Sequence, residues 1–155
     1  MADPTGGDYL TRRSDALKSR KDLPDISDFL VVEDETFDAD RLCATLHIMF
    51  GYQIRIRRAT TLGAALDCVI ERAPQFVFLD DYLKPSDNAS HTIPFLRRCG
   101  YEGPIVVVSG AVDRQRRAPL LRAGANDVIH KDDVDSVRIA ESLGRALTSV
   151  AQPTP

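Results

Sequence analysis

Short apolar runs alternate with helical periodicity along most of this chain. Phe29–Val32, Phe76–Leu79 and Ile105–Ser109 are nearly continuous apolar runs, and Asp127–His130 is a shorter one. Runs of this kind are typical of strands that are buried on both faces of a parallel sheet. Gln53–Arg57 instead alternates with period two and carries arginines, which is expected of an edge strand. The pattern therefore predicts five strands, of which the second in the chain lies at an edge.

Helical patterns separate these runs. From Phe37 to Phe50 the apolar residues recur at helical spacing, and a second amphipathic segment begins near Leu62, with Thr60 or Thr61 placed to cap it. Three more helices are predicted: one from Thr92 to Cys99, one that ends at Ala123 with Pro119 in its first turn, and one from Asp133 to Val150. Strands and helices in alternation, joined by right-handed crossovers, predict a three-layer α/β fold.

Composition limits the classes of protein to which this chain can belong. Its 155 residues suit one domain, and 20 basic against 23 acidic residues give a net charge of −3. Such a balance argues against general nucleic-acid binding. No apolar run reaches the roughly 18 residues of a bilayer span, and the first residues carry no export signal. Three widely spaced cysteines argue against a disulfide framework or a zinc site, so we expect a reduced, cytoplasmic protein with no membrane partner.

The two ends of the chain differ in character from its middle. Residues 1–25 are polar and mixed in charge and are predicted to be a flexible arm, whose basic cluster is either a partner site or a solvated tail. Residues 26–150 form the predicted folded domain, and residues 151–155 a frayed tail. A set of arginines around the third and fourth helices is either a docking face for an acidic partner or a solvated surface: Arg97, Arg98, Arg114, Arg116, Arg117 and Arg122.

Polar residues follow the apolar runs at the point where each predicted strand ends. They are Glu33, Asp34, Asp80, Asp81, Ser109 and Lys131. Ligands of an open parallel sheet bind beyond the carboxyl ends of its strands, so these side chains are expected to converge. Crowded carboxylates suit Mg²⁺, and a hydroxyl with an ammonium suits phosphate oxygens. A carboxylate beside such a cation can accept a phosphoryl group, although each residue alone also fits a helix cap, a turn or a solvated charge.

In these segments the chain resembles the receiver domains of two-component response regulators. The similarity covers about Asp28 to Val150 and depends on four motifs in order: residues 29–35, 76–80, 104–110 and 123–131. The resemblance implies a doubly wound, flavodoxin-like sheet with strand order 2-1-3-4-5 and helices on both faces. It also implies a bacterial-type, stand-alone signalling protein rather than an enzyme with a separate substrate. Its expected partners are a sensor histidine kinase or histidine phosphotransfer protein and a downstream protein target, without direct contact to nucleic acid.

The resemblance also implies a role for each site residue. Asp80 would accept the phosphoryl group, Ser109 would hydrogen-bond it and Lys131 would pair with it. The expected ligands of Mg²⁺ are Asp34 and Asp80 directly, Glu33 mainly through water, and the backbone carbonyl of Tyr82.

The position of the phosphorylated residue is ambiguous by one. Asp81 follows Asp80 directly, and the proline expected shortly after the site lies at Pro85. We favour Asp80 because four apolar strand residues precede it and because it lies six residues after Pro74.

Two further departures keep a second hypothesis open. Asp132 follows Lys131 where receivers usually carry proline, and Val128 occupies a position where an aromatic switch residue is common. The alternative is a pseudo-receiver that binds partners without phosphorylation. A haloacid-type phosphatase fits less well, because residues 33–35 lack the two aspartates that such an enzyme carries after its first strand.

Overall fold

Five strands form a parallel sheet in a computed structural model that describes residues 23–83, 87–110 and 114–151. The elements in chain order are β1 (Asp28–Val32), α1 (Thr36–Phe50), β2 (Arg55–Ala59), α2 (Leu62–Glu71), β3 (Phe76–Asp80), β4 (Tyr82–Leu83), β5 (Asp87–Asn88), α3 (Ala89–Arg98), β6 (Ile105–Ser109), α4 (Arg114–Ala123), β7 (Asp127–His130) and α5 (Ser136–Ala151). The order in the sheet is β2-β1-β3-β6-β7. Apart from the short hairpin β4–β5, this is the predicted order 2-1-3-4-5, and β2 is the predicted edge strand.

The sheet is covered by helices on both faces, and the alternation of side chains along each strand decides which face a residue joins. Phe76 and Phe78 of β3 pack with α1 and α5, whereas Val77 and Leu79 pack with α2, α3 and α4. The central strands β1, β3 and β6 are buried at all five positions. The continuous apolar runs in the sequence are thus explained by burial on two faces.

Several element boundaries differ from the sequence-based prediction. β2 begins two residues later than predicted, because its pairing with β1 starts at Arg55 opposite Asp28. The prediction that Pro119 lies in the first turn of its helix is wrong, since it is the sixth residue of α4. The polar stretch after β3 contains the hairpin β4–β5, and α3 begins at Ala89 rather than near Thr92.

The starts of α2 and α5 follow local rules. Thr61 is the residue that caps α2, since its hydroxyl accepts a hydrogen bond from the backbone N–H of Ala64 at 3.1 Å. The last helix begins at Ser136 and not at Asp133, because residues Lys131–Asp133 form a 3₁₀ turn. The side chain of Asp135 then accepts from the N–H of Arg138 at 2.8 Å, which satisfies one free donor at the start of α5.

The predicted terminal segments fall largely beyond the described residues. Residues 1–22 of the proposed arm and residues 152–155 of the proposed tail lie outside them. Leu23 packs against the cluster of α1 and α5, and Ile26 is buried in it.

Arg97 joins two loops at the amino-terminal edge of the sheet, the one before β6 and the one before β7. Its guanidinium donates to the backbone carbonyls of Tyr101 at 3.0 Å, Gly103 at 2.6 Å and Gly124 at 2.9 Å, and to the side chain of Asn126 at 3.1 Å. Arg97 is therefore committed to a structural role and is not free to form a docking face. Its neighbour Arg98 is exposed and lies over the ring of Phe95.

We expect Arg97→Ala to lower the free energy of unfolding by about 2 kcal/mol, because three carbonyls lose a charged donor at once. Arg98→Ala is the matched control and should stay within about 0.5 kcal/mol of the wild type. Urea denaturation of both variants measures the difference. Equal stabilities for the two variants would contradict the assigned role of Arg97.

Candidate functional site

The predicted site residues converge at the carboxyl edge of the sheet, but they lie on two different faces. Register pairs Val32 with Leu79, so Glu33 follows beside Asp80 on the face covered by α1 and α5. Lys131 follows Ile129 at a spacing of two and reaches the same face. Asp81 and Ser109 continue the other set of alternating positions, on the face covered by α2, α3 and α4. Because side chains alternate between the two faces of a sheet, the site residues fall into two groups, one on each face.

The first group surrounds Asp80. One carboxylate oxygen from each of Glu33, Asp34 and Asp80 lies within 4.8 Å of the others. The ammonium nitrogen of Lys131 lies 3.3 Å from Asp80, 3.1 Å from Glu33 and 3.0 Å from Asp38. A cavity beside these residues extends between α1 and the sheet and is lined further by Arg41 and Val134, among others.

Burial controls the protonation of this group. Burial raises the pKa of the Glu33 carboxyl to about 8, and the hydrogen bond with Asp80 and its charge add to this effect, while Lys131 opposes it. Burial also raises the pKa of Asp80, against hydrogen bonds from Glu33, Lys131 and the backbone N–H of Tyr82. Burial alone would lower the pKa of Lys131, but its contacts with Asp38, Asp80 and Glu33 outweigh this and raise it. Without a cation, burial and the neighbouring Asp80 carboxylate thus favour the protonated form of Glu33.

The raised pKa of Glu33 predicts how stability depends on pH in metal-free protein. At Glu33 the folded state binds more protons than the unfolded state between the ordinary pKa of 4.5 and about 8. The contribution of this group to stability is therefore fully present below this window and is lost as the pH rises through it. Glu33→Gln should flatten this dependence. The melting temperature of Glu33→Gln is measured with a chelator at about pH 5 and about pH 8. It is compared with the melting temperatures of the wild type and of the exposed control Glu35→Gln. If Glu33→Gln loses stability with rising pH as steeply as the wild type does, groups other than Glu33 cause the pH dependence.

The second group surrounds Asp81, whose carboxylate is fully buried. The hydroxyl of Ser109 donates to it at 2.8 Å. Arg116 of α4 forms a two-pronged ion pair with it, through Nε at 2.8 Å and through Nη2. The guanidinium of Arg116 also lies over the ring of Tyr82, 5.2 Å from its centre, so that the hairpin, α4 and the end of β6 meet at one carboxylate. We call Asp81, Ser109, Arg116 and Tyr82 the Asp81 cluster.

Most predicted positions are brought together, and two residues were missed. Glu33, Asp34, Asp80 and Lys131 form one group, while Ser109 contacts Asp81. Asp38 and Arg116 were not predicted as site residues. Asp38 lies four residues after Asp34, in the first turn of α1, and this nearness in sequence could have indicated it. Arg116 is 35 residues from Asp81 on another helix, and no local pattern indicates the contact.

The residues around Asp80 fit a magnesium ion. Three carboxylates within one small shell offer only oxygen donors, which hard cations with several water ligands prefer. Lys131 supplies the positive charge that balances part of the cluster.

Known proteins match this chain by their structures, although the comparisons with sequence families and curated proteins find no match. Neither protein-family models nor curated proteins match this sequence. The structure, however, is similar to solved receiver domains of response regulators, and the chain has the fold of such a domain.

NtrX from Brucella abortus is 28% identical, with a TM-score of 0.69 over 81% of this chain and 27% of that chain, so this chain spans about a quarter of its length. The receiver domain of NtrX from the same organism is also 28% identical, with a TM-score of 0.62 over 76% of this chain and 98% of that one. The beryllofluoride-activated NtrC4 receiver domain dimer is 20% identical, with a TM-score of 0.68 over 79% of this chain and 98% of that one, which shows the fold alone. Among the described residues, no helix has both the length and the apolar character needed to cross a bilayer.

Proposed function

We propose that this chain is a response-regulator receiver that accepts a phosphoryl group on Asp80 in a magnesium-dependent reaction. The observation that carries the proposal is the group around Asp80. Its carboxylate shares one shell with those of Glu33 and Asp34, and the ammonium of Lys131 lies 3.3 Å away. This arrangement occurs at the carboxyl edge of a sheet with the receiver fold, where ligands of doubly wound sheets bind.

The same residues would hold the cation. Asp34 and Asp80 would bind Mg²⁺ directly, Glu33 through water, and the backbone carbonyl of Tyr82 would complete the protein ligands. When bound, the ion would neutralise the crowded carboxylates and the charge on the transferred group. Glu33 would release its proton as the cation binds, because a positive charge nearby favours the ionised form of a carboxyl.

In the transfer step, a carboxylate oxygen of Asp80 attacks phosphorus. The bond from phosphorus to the donor's imidazole nitrogen breaks, and that nitrogen keeps the electron pair. Lys131 pairs with the phosphoryl oxygens, and Ser109 donates a hydrogen bond to them. The residues supply position and charge rather than a proton relay, which is the usual means of catalysis in phosphoryl transfer.

The donor would be a sensor histidine kinase or a histidine phosphotransfer protein, and the output would be contact with a downstream protein. The chain would act in the cytoplasm of a bacterial-type pathway as a signalling domain, not as an enzyme with a separate substrate. Similarity to receiver domains and the geometry of the acidic group support this assignment.

Intact-mass spectrometry tests the proposal directly. The full chain is incubated with acetyl phosphate, with Mg²⁺ or with a chelator, and we expect one phosphoryl adduct only with Mg²⁺. A parallel titration with beryllium fluoride and Mg²⁺ follows thermal stability. Neither an adduct nor a stability shift with beryllofluoride would instead support the phosphorylation-independent pseudo-receiver.

A further inference from the structure

The hydroxyl of Ser109 carries one proton, and here that proton is donated to Asp81. Ser109 is fully buried, and its side chain belongs to the face of the sheet opposite to Asp80. A phosphoryl group on Asp80 needs the same proton if Ser109 is to hydrogen-bond it. A single hydroxyl proton cannot be given fully to both acceptors.

Asp81 is a strong competitor for this proton. Its carboxylate is buried, and hydrogen bonds to charged acceptors are about twice as strong as neutral ones. Arg116 holds the carboxylate in place with two parallel contacts, and the backbone N–H of Ala89 adds a longer one at 3.4 Å. The acceptor is therefore fixed beside Ser109 by α3 and α4 together.

We propose that Asp81 holds Ser109 in a resting position and thereby lowers the affinity of the site for a phosphoryl group. Asp81 and Arg116 are thus positioning residues that act through Ser109. This inference rests on the proposed function and extends that function by assigning Asp81 a role in regulation. When the phosphoryl group binds, Ser109 exchanges one anionic acceptor for another, and Asp81 keeps its ion pair with Arg116.

The size of the effect follows from the bond that is broken. A hydrogen bond to a charged acceptor contributes enough free energy to change an equilibrium constant by roughly tenfold or more. The apparent affinity of the site is lowered by the fraction of molecules in which Ser109 is available. Asp81→Asn weakens the acceptor while keeping its shape, and we expect it to bind beryllofluoride with Mg²⁺ roughly tenfold more tightly than the wild type.

A double-mutant cycle separates this mechanism from simple electrostatics. Without the negative charge of Asp81, the site would attract any anion more strongly, whether or not Ser109 is present. The beryllofluoride concentration that gives a half-maximal thermal shift is therefore measured for wild type, Asp81→Asn, Ser109→Ala and the double variant. The gain from Asp81→Asn should fall to about twofold or less in the Ser109→Ala background, since only coupled residues depart from additivity.

A control variant in the same helix tests whether any loss of an ion pair of α4 changes the affinity for beryllofluoride. Arg117 follows Arg116 in α4 and pairs with buried Asp127 at 2.9 Å on β7, away from Ser109. Arg117→Met should leave the affinity for beryllofluoride unchanged. If Asp81→Asn proves too unstable to titrate, the variant that combines it with Arg116→Gln also removes the cation that faces Asp81 and is expected to show the same gain.

The outcomes distinguish the two proposals. No beryllofluoride response in the wild type would overturn the proposed function and this inference with it. A normal wild-type response with no gain in Asp81→Asn, or a gain that persists fully in the Ser109→Ala background, would overturn only the inference.

Discussion

Asp80→Asn is expected to abolish the phosphoryl adduct, whereas Asp81→Asn is expected to keep it. The two aspartates are neighbours in sequence, but successive residues of a strand point to opposite faces of the sheet. Asp80 lies with the acidic group and 3.3 Å from Lys131. Asp81 is fully buried on the other face, where Arg116 and Ser109 occupy its oxygens. We therefore expect a donor and a cation to reach Asp80 and not Asp81.

Intact-mass spectrometry with acetyl phosphate and Mg²⁺ compares both variants with the wild type. Asparagine keeps the shape of each side chain, and thermal melting verifies that each variant is folded. An adduct that persists in Asp80→Asn and disappears in Asp81→Asn would move the phosphorylated position by one residue. Loss in both variants would show that the reaction needs the Asp81 cluster as well.

Arg116→Ala is expected to lower the free energy of unfolding by about 3 kcal/mol. Removing one partner of a buried ion pair leaves the other charge buried without compensation, and this costs about 3–5 kcal/mol in general. The lower end applies here because Ser109 and the backbone N–H of Ala89 still donate to Asp81. For a chain of this size, the melting temperature should fall by roughly 6–12 °C. Asp81→Asn should cost less, since Arg116 is one-fifth exposed and can turn toward water.

Urea denaturation of Arg116→Ala is compared with that of Arg122→Ala, an exposed arginine in the last turn of the same helix. The control should remain within about 0.5 kcal/mol of the wild type. A similar small change in both variants would mean that the Asp81 cluster contributes little to stability.

Much of the fold could be predicted from local patterns. The bounds of β6 and β7 agree with the sequence-based prediction, because continuous apolar runs between turn residues identify buried strands. The bounds of β2 could not be predicted in this way, since its pairing with β1 decides where the strand begins. The hairpin β4–β5 was missed because each of its strands has only two residues, too few to show a period.

The order of the strands was implied only by the resemblance to receiver domains. The sequence by itself determined the five strands of the parallel sheet and the gathering of acids, hydroxyl and ammonium at one edge. Those features depend on strand period and chain direction, which act over a few residues. Only the tertiary structure decided that Asp38, 93 residues from Lys131, contacts it, and that Arg116 reaches Asp81. Contacts of this kind depend on how whole helices pack on the sheet, and a buried carboxylate takes whichever cation that packing brings within reach.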